Sequence, residues 1–255
     1  MLVLAFATGL ASQDLSEPEG TPDIGDPCCV AGGIPRTLDQ MLERRGIDLT
    51  RQALLDALLD PRAVVRSLAA QKLAHDGQSD SIPAIAAALS AEKAVGTREI
   101  MAYALASLGD RRGIPELRDM CTAKFSASLR MTAATDMLSL HDEECVDDFL
   151  DLLRSVRDSS SLQNVSRDGF VQVGLIDLEV LPPEHPSEHQ SEEIRELAAS
   201  CLASKSRDLR MAASRALGKF GDAVSARELD KALATEQDQA VRAKMLEDLQ
   251  RIKNR

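Results

Sequence analysis

Apolar residues in this chain recur at helical spacing, and the same pattern then returns register by register. Val65–Gly77 carries the skeleton V-R-x-x-A-A-x-x-L-x-x-x-G. Thirty-two residues on, Thr97-Arg98 leads to Ala102, Leu105 and Gly109; another 32 on, Leu129-Arg130 leads to Ala134, Met137 and, where Gly stood, His141. Leu209-Arg210 with Ala213, Leu217 and Gly221, then Val241-Arg242 with Leu249, extend the series. Arg therefore falls at 66, 98, 130, 210 and 242. A period of this length marks a tandem array of supersecondary units.

A second helix repeats behind the first. Ile82-Pro83 and Ile114-Pro115 each follow five residues after a Gly, which gives a helix stop and then a first-turn start. Three apolar registers run through five copies: Ile82/Ile114/Val146/Ile194/Ala226, Ile85/Leu117/Phe149/Leu197/Leu229 and Leu89/Cys121/Leu153/Cys201/Leu233. Positions i, i+3 and i+7 share one face, so each copy is an amphipathic helix with a buried stripe. The pattern predicts helices over 36–46, 48–60, 62–76, 80–91, 95–108, 113–124, 126–140, 143–155, 191–204, 206–220, 222–235 and 237–252. The last, with Val241, Met245, Leu249 and Ile252 on one face, reads as a C-terminal cap.

The spacing breaks once. Arg130 to Arg210 is 80 residues, two periods plus 16, and the surplus falls between Phe149 and Leu197. One repeat is expected to have lost its first helix, with 156–190 in its place. This insert is bounded by Asp158-Ser-Ser-Ser161 and by Leu181–His189, rich in Pro. Between them Phe170–Leu181 is rich in β-branched and apolar residues, the only strand-like run in the chain, which predicts an extended strand or hairpin. Long irregular segments in compact domains are usually functional or disordered. The insert, with Phe170, is accordingly a candidate partner-binding element; its alternative is a packing repair without a ligand.

Composition agrees with an all-α class: 44% hydrophobic residues, mostly Ala and Leu, 2% aromatic and no Trp. The expected architecture is an α-solenoid of helical pairs interrupted by a strand-containing insert. A net charge of −11 and no block of Lys and Arg argue against nucleic acid and against adsorption to anionic lipid. Residues 1–11 are apolar, end in small residues and are too short to span a bilayer; they resemble a secretory leader cut after Ala11, although a basic start is lacking. Export to the periplasm or medium follows, or a cytoplasmic chain if the segment is no leader. Residues 12–35 read as an acidic, Pro- and Gly-bearing tether, and 36–255 as the solenoid.

The chemistry-bearing residues are few. Five cysteines make no disulfide framework; Cys28-Cys29 could crosslink a partner or simply cap the first helix, and Cys121 and Cys201 fall on a core register. Cys145, with His141 four residues before it, lacks a third orienting group and is surrounded by acids. His185 and His189 flank Pro186 and do not make a firm metal set. The sequence thus offers no catalytic residue, metal or cofactor. The Arg series reads as ties between units through acids or carbonyls, with Asp60, Glu92 and Glu236 as partners. On the second helices the position before the central core residue is Ala84, Glu116, Asp148, Glu196 and Glu228, acidic in four of five copies. Glu116, Asp148, Glu196 and Glu228 are candidate contacts for a basic or polar partner segment, the alternative being a solvated face.

These repeats resemble HEAT repeats, particularly the short bacterial type first noted in bilin lyases, over roughly 36–255. The resemblance implies a helical-pair solenoid whose second helices line the concave side and which binds proteins without catalysis. Some HEAT-like proteins are di-iron hydroxylases built on His-Glu dipeptides, and no such dipeptide occurs here. An accessory enzyme of the bilin-lyase kind is the alternative function, but one Tyr, five Phe and no Trp offer little to line a tetrapyrrole pocket.

Overall fold

The computed structural model describes residues 37–160 and 164–255. The expected leader, the tether and the Cys28-Cys29 pair lie outside the described residues. Two compact units divide the chain between Met120 and Cys121.

In the first unit six α-helices follow one another: α1 (Leu38–Glu43), α2 (Arg51–Ala57), α3 (Ala63–His75), α4 (Ile82–Ala91), α5 (Val95–Ser107) and α6 (Ile114–Met120). Helix α3 packs against α1 on one side and α5 on the other, while α4 and α6 pack against α5. The predicted stripes supply the contacts: Leu42, Leu54, Leu73, Ile85, Met101, Leu105 and Leu117 are all fully buried. At about 1.5–3 kcal/mol per large aliphatic side chain, this stripe is the main stabilising term. Pro83 stands in the first turn of α4, where its missing N–H has no partner to lose. Gly77 and Gly109 end α3 and α5 at φ +67° and +88°, a left-handed conformation that favours glycine. Gly113 has a different reason. A Cβ there would collide with the Ala102 carbonyl, so only glycine lets the α6 start approach α5.

The second unit continues with α7 (Ala127–Ser139), α8 (Val146–Asp158), α9 (Asn164–Val180), α10 (Glu188–Cys201), α11 (Arg207–Phe220), α12 (Ala223–Thr235) and α13 (Gln239–Lys253). Helix α11 is central and packs on α9, α10 and α13. Phe149, Leu153, Ile194, Leu197 and Leu229 from the second-helix registers are buried here. In α13 Val241, Met245, Leu249 and Ile252 face inward as expected. His141, in the place of a glycine, does adopt φ +58°.

The expected strand is not formed. Residues 164–180 are α9, a helix of 17 residues, and there is no strand among the described residues. Its buried positions Phe170, Val171, Gly174, Leu175 and Leu178 follow i, i+1, i+4, i+5, i+8, one helical face. The β-branched and apolar content of the run suggests a strand, but the period of 3.6 fixes which face α8 and α11 can bury. No first helix is lost. The 16 surplus residues are taken up mostly as helix: α8 runs on to Asp158, α9 has 17 residues, and α10 starts at Glu188, well ahead of Leu197, with only slightly longer connections between them. At Gly174 a Cβ would collide with the Leu153 side chain of α8, so the residue that weakens helix propensity permits the close packing.

Candidate functional site

The Arg series proves to be a set of ties built from the loops upward. Arg66, on α3, places Nε and Nη2 on the two Glu92 oxygens at 2.6 and 2.8 Å, while Nη1 donates to the carbonyls of Asp60 and Pro61 at 2.8 and 2.9 Å. Arg210 repeats this on Glu236 at 2.6 and 3.0 Å, with Nη1 on the carbonyls of Ser204 and Lys205. Each glutamate also accepts two backbone N–H groups that lead into the next helix, from Lys93 and Ala94 or from Gln237 and Asp238. One guanidinium thus joins the loop before its helix to the loop before the next first helix. The expected partners are shifted by one repeat: Glu92 serves Arg66 rather than Arg98, and Glu236 offers its side chain to Arg210 and only its carbonyl to Arg242. Asp60 offers Arg66 its carbonyl, and its carboxylate binds Arg62. Burial pushes the Glu92 carboxyl upward, but Arg66 and the two N–H groups hold it below the usual range. Glu236 is held low first by Arg210.

The five candidate contact residues are not alike. Glu116, in the first unit, is partly buried and ion-paired with Arg98. In the second unit Asp148 is half-buried, and its carbonyl accepts from Arg130 at 3.3 Å. Glu228 is half-buried and pairs with Lys231 at 2.7 Å. Glu196 is exposed. Phe170 is 8% exposed and forms part of the α9 core face, so its ring is not available to a partner. The surrounding acids are interlaced with cations: Arg154 joins Asp151 and Glu193 at 2.6 and 2.8 Å, and Gln190 reaches Asp147 at 2.8 Å. These contacts tie α8 to α10. The side chains left facing solvent on the two helices include Asp151 (69% exposed), Glu192 and Glu196.

Cys121 and Cys145 form a disulfide within the second unit, where the sequence pattern predicts a buried thiol and a free thiol near a helix start. Both residues are buried, at 1% and 2% exposure, and a nucleophilic Cys145 is thereby removed. The spacing of 24 residues gives no sign of pairing, because each cysteine fits its local pattern as a small apolar residue. Arg130 bridges the same two segments, with Nε on the Cys121 carbonyl at 3.0 Å and Nη2 on Asp148. Cys201 is a free thiol, and burial pushes it up in pKa.

Two histidines pair with carboxylates, His141 across a loop and His189 within α10. His141 Nδ1 lies 2.9 Å from Glu184, and His189 Nε2 lies 3.3 Å from Glu193. Among the described residues no three His, Cys, Asp or Glu side chains gather as a metal site. No helix there is long and apolar enough to cross a membrane.

A titrating group missed in the sequence is Asp177 on α9. Burial raises its pKa to about 6, against an opposing hydrogen bond from the Thr135 hydroxyl at 3.0 Å. A carboxyl with a raised folded-state pKa favours the fold fully only below its unfolded value near 3.8; that advantage is lost as pH rises through about 6. Asp177→Asn should therefore raise the unfolding free energy at pH 8 by about 2 kcal/mol and change it little near pH 4. Urea unfolding of both proteins at the two pH values checks this. An equal difference at both would contradict the assignment.

The family model for HEAT repeats matches residues 51–139 and 179–250. The second match begins at the end of α9, the helix whose sequence departs most from the others. No curated protein matches the chain. With helical pairs stacked as described and well over half of its residues matched, the chain belongs to the family of HEAT-repeat proteins.

Proposed function

We propose that this protein is an exported, non-enzymatic scaffold that captures a basic or polar segment of another protein on the exposed face of α8 and α10. HEAT repeats generally serve protein interaction, and the array fits that use because each helical pair offers surface beyond what its neighbours bury. The observation that carries the location is the solvent-facing set Asp151, Glu192 and Glu196 on two adjacent second helices, next to carboxylates already held by Arg154 and Gln190. Fixed carboxylates of one sign steer a cationic partner and set its register. Export is supported by the buried Cys121–Cys145 bridge, since such bridges persist in oxidising compartments.

Glu116, Asp148 and Glu228 are poorer targets for a test, because each is partly buried, whereas Asp151, although paired with Arg154, is 69% exposed. The variant of choice is Asp151→Lys/Glu192→Lys/Glu196→Lys, whose targets lie at the surface. Capture from the exported fraction, followed by mass spectrometry, should give a partner that binds the wild type with salt-dependent affinity and the triple variant at least tenfold more weakly. Unchanged capture by the triple variant would place the partner elsewhere.

A further inference from the structure

The repeated Arg positions provide an internal standard for one pocket. At Arg66 and Arg210 the Nε/Nη2 edge receives a glutamate supplied 26 residues later, Glu92 or Glu236. Position 124, 26 residues after Arg98, is lysine. Arg98 instead pairs through Nη2 with Glu116, only 18 residues away, and its Nε is buried without a hydrogen-bond partner. Glu116 thus reaches one nitrogen of an edge that two other copies satisfy with both carboxylate oxygens. The Arg98 side chain is 39% exposed, but its Nε is buried, and an unmade hydrogen bond at that atom is costly; the acceptor that matches the edge is planar and bidentate.

Arg98 lines a pocket of about 280 Å³ in the first unit. Ala86, Leu89 and Leu105 form its apolar side; Ser90, Arg112 and Glu116 lie among its polar residues. Glu92 also borders it, but its Oε2 accepts from Arg66 Nε and its Oε1 from Arg66 Nη2 and two backbone N–H groups. Glu116 is the one bordering carboxylate that shares the Arg98 fork.

We propose that this pocket is a subsite for the glutamate side chain of a protein partner. The carboxylate takes the Nε/Nη2 edge of Arg98, and the methylenes lie against Leu89 and Leu105. The chain fills the equivalent edge with glutamate twice, which is why this side chain is the one assigned. The biological use of the subsite rests on the scaffold reading. Its test needs no partner protein, so failure here leaves capture by the α8–α10 face untouched.

The probes are butyrate, which reproduces the glutamate stem and carboxylate, and butyramide, its neutral counterpart. The readout is the Arg98 Nε–H resonance in a ¹H–¹⁵N spectrum of the full chain, assigned by its loss in Arg98→Lys. Butyrate should shift this resonance saturably at millimolar concentration, and butyramide should bind several-fold more weakly. Glu116→Gln, which withdraws the competing charge, should tighten butyrate by threefold or more. No saturable shift, equal binding of butyramide, or no tightening in Glu116→Gln would each overturn the subsite.

Discussion

Removing the Cys121–Cys145 bridge should lower the unfolding free energy of the second unit by about 3.5 kcal/mol, among the largest single losses available to this chain. The size follows from the 24-residue separation, because the bridge restricts the unfolded chain by closing a loop that contains all of α7. In the folded state it fixes the segment before α7 to the start of α8, the two segments that Arg130 also spans. Guanidinium unfolding with and without reductant measures the effect. Cys121→Ala/Cys145→Ala should match the reduced wild type closely and be insensitive to reductant. Equal midpoints for oxidised and reduced wild type would show that the bridge carries no stability. Since energies in a repeat array are close to nearest-neighbour sums, amide exchange should accelerate mainly in α7 and α8.

That the bridge is not legible in the sequence shows what the repeat pattern does and does not record. A register of apolar positions reports which side chains face inward. Leu117, Phe149 and Leu197, which share the register of Ile85, are legible for that reason, and all are buried. The register does not report which inward side chains meet. Cys121 fits the register of Leu89 and Leu153, so its pattern reads as packing alone. The ties between units are legible in kind but not in partner, since an acid six residues before an Arg is near in sequence while the acid that binds comes 26 residues after it.

Helix α9 is hidden for a related reason. Aligning its buried residues Phe170, Val171, Gly174 and Leu175 with Ala212, Ala213, Ala216 and Leu217 of α11 puts Asp168 at the place of Arg210. The Arg that marks a first helix is therefore absent where the spacing also changes. Asp168 does related work with reversed charge: its carboxylate accepts from Ser204 in the loop before α11 at 2.8 Å and pairs with Arg167. The candidate surface is legible only as a run of acids. Whether an acid is spent on an internal pair, as Glu116 and Glu228 are, or faces solvent, as Glu196 does, depends on cations brought in from other turns and helices.

The Arg210–Glu236 tie offers the sharpest test of how this array holds together. Glu236→Ala should cost about 3 kcal/mol, because the deletion strands a guanidinium that is largely buried and two backbone N–H groups together. Glu236→Gln keeps an acceptor oxygen and should cost about 1.5 kcal/mol. The pH dependence separates charge from shape. The folded-state pKa of Glu236 lies below its ordinary value of 4.5, so the ionic contribution is fully present above that value and is lost as pH falls through the lower folded pKa. The gap between wild type and Glu236→Gln should accordingly be constant from pH 6 to 8 and narrow in acid, while the gap between Glu236→Gln and Glu236→Ala stays nearly fixed. Urea unfolding from acid, below the ordinary glutamate value of 4.5, up to pH 8 measures both gaps. A Glu236→Ala variant as stable as wild type would mean that apolar stacking of α11 on α13 alone holds these repeats together, with the tie serving only to set their register.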